Sequence, residues 1–420
     1  MKTKMRKYVP SIAWLCTLAY FTSYLLRMNF NVMMVKIGTD LGVANTALAV
    51  VVTGLTIFYG GGQVVSGILG DRISPTTMVS VGLFVATACN VALYFCHSIP
   101  AMTVVWCING FAHSMLWSPI VKLFSVYLTD SEYGYAMMRL MWGSSFAIVF
   151  LRLFCPALMR VGLNWRVIML ILAGIGLAVA LTFTLSSPKI FVEPINAETV
   201  TVTEGDKQKK GVPLPRMVWF PTALILVAIV MHGMLKDGVD NWIPTYLYET
   251  FGIPEENAIF STVILAVLGM VSFSIFDFLH RKFFKNEVFC SVVIFGLSMA
   301  AAAVLFVVGK FVSSMVLSLA MMAIITACMK GANLMLVAVV PKRYVKSGKI
   351  ATFTGILDAA AYAGSALATY GFAALAEAYN SWDATILAWA LIALAGVVLC
   401  LVATPLWARF RREYADNPEV

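Results

Sequence analysis

Twelve apolar runs partition this chain, over roughly 12–35, 48–69, 77–96, 101–125, 135–159, 166–186, 217–246, 258–280, 287–308, 312–340, 350–376 and 384–407. Each reaches the roughly 20 residues that an α-helix needs to cross about 30 Å of hydrocarbon. Lipid offers no partner for backbone N–H and C=O groups, so runs of this length predict helices and an all-α membrane protein. Only 12% of the residues are charged, against about 25% in a soluble chain. The net charge of +9 could point to nucleic acid, but the basic residues sit in short loops between apolar runs, which is a signature of membrane orientation.

The stretch "SPKIFVEPINAETVTVTEGDKQKKGVPLPR" separates the sixth run from the seventh. Polar, charged and proline-bearing, it reads as a linker. The predicted organisation is a six-helix bundle over 1–187, a cytoplasmic linker over 188–216, and a second six-helix bundle with a cytoplasmic tail over 217–420. "MKTKMRK" resembles the start of a signal peptide, but no small-residue cleavage pattern follows, so the first run is expected to remain as a helix. Pro244 in the seventh run predicts a kink near that helix's outer end. With the N-terminus inside, twenty Lys and Arg flank the cytoplasmic ends and four (Lys36, Arg160, Arg166 and Lys310) the other side. That bias predicts an inner-membrane, multi-pass protein with both termini cytoplasmic.

The eight cysteines lie in or beside apolar runs without C-x-x-C spacing, and are expected to be buried small hydrophobes rather than disulfides or metal ligands. No P-loop, zinc spacing or nucleophile elbow occurs, so the sequence predicts no enzyme, cofactor or metal.

The halves echo one another. "GILGDR" (Gly67, Asp71 and Arg72 included) ends the second run, and "IFDFLHRK", with Asp277, ends the eighth. A six-plus-six repeat with a basic central loop has the form of a major facilitator carrier. In that form the glycines permit close helix packing, and Asp71 and Arg72 are expected to pair at a cytoplasmic gate.

Six cations fall inside the runs: Arg27, Lys122, Arg139, Arg152, Lys236 and Lys330. Lys122 lies near a helix end, where its ammonium can snorkel to water. Arg139 is early in the fifth run and suits a gate or an interface. Arg27 and Lys236 each lie 20 residues after the last basic residue before their helix, Lys7 and Arg216 respectively, and so reach similar depth, one from each half. A charge at such depth costs at least ~2.5–3.5 kcal/mol, and a bound anion would offset two of them together. The alternative is structural pairing, credible for Lys236 because Asp237 is adjacent and Asp240 is one turn on. Arg152 could serve a second anionic group or a structural role. His113 and His232 could carry protons, though a histidine in apolar surroundings is more often simply packed.

Lys330 and Asp358 form a further expectation. Lys330 is 11 residues before Pro341 and Asp358 nine after Lys349, about 16 and 13 Å in on regular helices. Opposite charges at similar depth on sequential antiparallel helices are expected to pair.

Three stretches resemble a known family. "YFTSYLLRMNF" is similar to the first-helix motif of the organophosphate:phosphate antiporters, "LKDGVDNWIPTYL" to their seventh, and "TGILDAAAYAGSALATYG" to the eleventh of their sugar-phosphate exchangers. The resemblance implies a twelve-helix carrier whose phosphate-binding cations are Arg27 and Lys236. It also implies cavity tyrosines at Tyr20, Tyr24 and Tyr59. Gln63 stands where some members have a lysine, Ser144 near a family histidine, and His113 near a family glutamine. Asn241, in the seventh-helix stretch, joins the candidate substrate residues. The implied partners are a small organophosphate, inorganic phosphate and the bilayer, with no nucleic acid, in a monomer. A proton-coupled symporter of sugar acids or other carboxylates stays open, favoured by Asp237, Asp240 and Asp358 inside runs. So does a sugar-phosphate sensor that does not transport.

Overall fold

Most helices outrun the apolar runs that predict them, because their ends are built by caps rather than by hydrophobicity. In the computed structural model, α1 spans Val9–Leu41. Pro10 starts it, and Gly42 stops it at φ 67, a left-handed conformation that glycine adopts without steric cost. The Val43 amide then returns to the Gly38 carbonyl at 3.0 Å. A capping box opens α5, where the Thr129 amide donates to Glu132 Oε2 at 3.0 Å. The structure describes residues 8–43, 45–192, 194–195, 212–253, 255–312, 314–379 and 381–417. Most of the linker, 196–211, and the N-terminal basic cluster lie outside these.

The further helices are α2 (Asn45–Arg72), α3 (Pro75–Phe95), α4 (Ile99–Tyr127), α5 (Asp130–Arg160) and α6 (Trp165–Ile190). After the linker come α7 (Trp219–Phe251), α8 (Glu255–Lys282), α9 (Glu287–Phe311), α10 (Met315–Ala332), α11 (Ile350–Tyr379) and α12 (Asp383–Phe410). No strand occurs among the described residues. Among the described residues, eleven helices are long and apolar enough to cross a membrane, and α8, at 28 residues, has the length to do so. The fold is that of an all-α, multi-pass membrane protein.

Two departures from the sequence expectation concern helix ends. α7 runs on to Phe251, beyond the end of its apolar run, and is stopped by Gly252 at φ 65, where glycine caps it in the left-handed conformation. α10 gives way at Asn333 to a π-helical segment, Asn333–Val339, followed by a 3-10 segment, Val340–Ser347. The depth of Lys330 reckoned on a regular helix therefore does not carry over, since neither segment has the α-helical rise.

The chain forms two units. The first is Met1–Gly211 with Val345–Ile356, the second Val212–Tyr344 with Leu357–Val420. In the first, α2 packs on α4, α1 on α5 and α6, and α3 on α4 and α6. Its core holds Leu25, Leu26, Phe30, Trp106 and Trp165, with the Phe30 and Trp106 rings 5.4 Å apart. In the second, α9 packs on α12 and α10, α7 on α12, and α8 on α10. There α7 and α11 meet at Gly233 and Gly364, where a Cβ would overlap the Ala361 and Val230 carbonyls. All eight cysteines are free, six of them buried.

Candidate functional site

Arg27 is 3% exposed, deep among apolar side chains of α1. Its guanidinium carbon lies 4.5 Å from the Tyr24 ring centre and 4.5 Å from that of Tyr59. Tyr24 precedes it by three residues, which puts both on one face of α1, and Tyr59 comes from α2. Two aromatic faces hold the cation where water does not, an interaction worth about 2 kcal/mol or more when desolvated. The N–H fork of a guanidinium matches two oxygens of a phosphate.

Tyr20 supports this niche from one turn earlier. Its ring packs edge-on to Tyr24 at 5.3 Å and against Trp117 of α4 at 5.6 Å. Ser23 Oγ lies 3.0 Å from His113 Nδ1, which ties α1 to α4. Gln63 Oε1 accepts from Ser118 Oγ at 3.3 Å, and its Nε2 is buried without a hydrogen-bond partner. Ser144 is buried on α5 and donates to the Met141 carbonyl at 2.8 Å. Arg152, by contrast, is exposed on α5. Arg139 stacks on Tyr135 at 3.6 Å and lies 5.7 Å from the Trp14 ring, an interface between α5 and α1.

In the second unit Lys236 is partly exposed on α7. Its ammonium lies 3.5 Å from Asp237 Oδ1 and 5.5 Å from the Tyr362 ring centre of α11. Asp237 in turn accepts from the Ser365 hydroxyl. Pairing with the adjacent aspartate is thus present, and Tyr362 gives Lys236 an aromatic neighbour as Tyr24 does Arg27. Asn241 and Asp240 are exposed. His232 is fully buried on α7. Tyr362 and Ser365 are readable in the sequence only as members of the eleventh-helix stretch; Tyr362 lies one turn after Asp358.

The gate residues depart from expectation. Asp71 does not turn to Arg72, which is exposed. Its carboxylate accepts from the backbone amides of Ala351 at 3.0 Å and Thr352 at 2.9 Å, at the start of α11. Those residues belong to the first unit. A carboxylate is favoured there because the free N–H groups and the helix dipole are both positive. Gly67 lies where a Cβ would overlap the Ala351 carbonyl.

Lys122 does not snorkel. It is 5% exposed, donates to the Gly70 carbonyl at 2.8 Å and lies 3.9 Å from Asp71 Oδ1. Nothing in its own helix signals this, because its acceptors belong to the end of α2. The second copy of the motif behaves differently: Asp277 pairs with Arg281 of its own helix at 2.9 Å.

Lys330 occupies the last turn of α10, and its stem lies so close to Gly269 of α8 that a Cβ there would overlap it. Asp358 is 8% exposed on α11.

A family model matches residues 16–369, most of the chain. The chain belongs to the Major Facilitator Superfamily. With that family and relatives named as transporters, the protein is not an enzyme. It is 23% identical over 329 residues to the glycerol-3-phosphate transporter of Bacillus subtilis, across 71% of this chain and 68% of that one. It is 29% identical over 117 residues to the probable hexose phosphate transport protein of Chlamydia trachomatis, across 28% of this chain and 26% of that one. These names agree with the resemblance carried by the helix motifs. The fold is similar to that of the E. coli fucose:proton symporter FucP, with a TM-score of 0.76 at 14% identity, covering 95% of this chain and 99% of that one.

Proposed function

We propose that this superfamily member exchanges a phosphorylated organic anion, of the sugar-phosphate or glycerol-phosphate class, for inorganic phosphate by alternating access. Arg27 and Lys236 are its anion-binding cations. The observation that carries this is the seating of Arg27: a permanent charge, 3% exposed, with its guanidinium carbon over the Tyr24 and Tyr59 rings at 4.5 Å each. A guanidinium seated between two rings is pre-organised for an oxyanion; its fork matches the oxygens of a phosphate or of a carboxylate, and the helix motifs favour phosphate. The names of the relatives above support the same ligand class.

Exchange follows from the charge balance. An empty site holds cations whose desolvation resists closure, and a phosphate dianion offsets that cost whichever substrate carries it. The asymmetry of Lys and Arg supports a reading in which both termini are cytoplasmic, and an inner membrane is the setting proposed for the exchange.

Competition tests the substrate class. Uptake of labelled phosphate into phosphate-loaded proteoliposomes is expected to be inhibited by glycerol phosphates or hexose phosphates and not by the corresponding free polyols, sugars or sugar acids. Inhibition by sugar acids alone would point to carboxylate transport instead.

A further inference from the structure

Two asparagines, from α3 and α4, meet at the peptide unit that joins Leu26 to Arg27, and a third, from α1, backs one of them. Asn90 of α3 donates to the Leu26 carbonyl at 2.9 Å, and Asn109 of α4 donates to the same oxygen at 3.1 Å. Asn29 of α1 donates to Asn90 Oδ1 at 2.6 Å. All three are fully buried. The Leu26 carbonyl is bonded to the Arg27 nitrogen, so α3 and α4 grip the backbone immediately before the charged residue.

The local helix chemistry is altered at the same place. In an uninterrupted helix the Phe30 amide points at the Leu26 carbonyl. Here the Phe30 amide also has Asn29 Oδ1 as acceptor, at 2.8 Å. The Leu26 carbonyl is served by two side chains from elsewhere. A transmembrane helix satisfies its own carbonyls, and three buried amides add a desolvation cost that apolar side chains would avoid.

Asn109 shows most clearly what the network is for. Its Oδ1 is buried with no hydrogen-bond partner. Leaving an acceptor unserved costs about 1–3 kcal/mol, so the amide is not there to satisfy itself. Turning it over would set oxygen against the Leu26 oxygen, so the nitrogen end is the one in use.

We infer that Asn109 and Asn90 are positioning residues of the anion site: by holding the Leu26 carbonyl from α4 and α3, they fix where Arg27 leaves α1 and hence how its guanidinium sits between Tyr24 and Tyr59. The inference rests on the proposed role of Arg27 as the phosphate-binding cation. Arginine is long and rotamer-rich, and a site of this kind depends on its supporting contacts for a geometry good to about half an ångström.

Counterflow of labelled phosphate in proteoliposomes, measured over a range of phosphate concentrations, tests it. Asn109→Ala is expected to raise KM about tenfold while the maximal rate stays within about threefold, and Asn109→Ser, which keeps a donor, to recover part of the loss. Because the effect runs through Arg27, Asn109→Ala added to Arg27→Lys is expected to cost little beyond Arg27→Lys alone. If Asn109→Ala does not yield folded protein, Asn109→Ser and Asn90→Ser carry the same comparison at smaller size. A lower maximal rate with unchanged KM, or losses that multiply in the double variant, would overturn the positioning role. Full exchange by Arg27→Lys alone would instead show that the reading of the site itself is wrong, whatever the asparagines do.

Discussion

Arg27→Lys is expected to lower phosphate exchange at least about 30-fold while the protein still folds and inserts. The substitution keeps the charge and removes the planar fork. A hydrogen bond to a charged group contributes about 1.5–3 kcal/mol, so losing one arm of a bidentate contact accounts for a loss of that size. It also replaces the delocalised guanidinium over Tyr24 and Tyr59, both at 4.5 Å, with a compact ammonium that is more strongly hydrated. Lys236→Arg is expected to be much milder. Lys236 is partly exposed, with Asp237 and Tyr362 as neighbours, and a lysine offers a movable point charge rather than a fixed fork. Exchange assays on the two variants, with reconstituted protein quantified by elution as a single species, separate the roles. Equal effects from the two substitutions would remove the distinction between fork and point charge.

Neutralising Lys330 or Asp358 singly is expected to reduce exchange or folded yield by about tenfold or more, and neutralising both to restore much of it. The basis is the cost of leaving one charge of a pair unbalanced in a low-dielectric interior, several kcal/mol, against the near-neutral cost of removing both. Asp358 is 8% exposed, and a Cβ at Gly269 would overlap the Lys330 side chain. Both residues belong to the second unit. Lys330→Met, Asp358→Asn and the double variant, compared for detergent-stable yield and phosphate counterflow, provide the cycle. Additive losses in the double variant would show that the two charges act separately.

How much of the site is legible in the sequence depends on how local each signal is. A permanent charge in an apolar run is visible wherever it stands, which is why Arg27 and Lys236 are conspicuous from the sequence alone. Tyr24 shares a helix face with Arg27 at a three-residue spacing, so their contact is also within reach. Lys122 defies its sequence expectation because sequence shows its distance from a helix end and not the Gly70 carbonyl and Asp71 on another helix. The partners of Asp71 escape for the same reason: backbone amides at the start of α11 have no sequence signature, whereas the neighbouring Arg72 offers an obvious but unused charge. Asn90 and Asn109 are hidden more deeply, since each is a single polar residue in an apolar helix and their shared acceptor is a main-chain oxygen. The π-helical segment after Ala332 has no herald at all, because its residues are ordinary formers of α-helix.

Obligatory exchange is the central claim, and the most direct measurement compares two sets of proteoliposomes that differ only in what they contain. Vesicles loaded with phosphate are expected to take up labelled phosphate or organophosphate, and vesicles without phosphate to take up neither, with or without a pH gradient across the membrane. Accumulation into phosphate-free vesicles driven by a proton gradient would contradict exchange in favour of proton symport, and phosphate binding with no counterflow in loaded vesicles would contradict transport altogether.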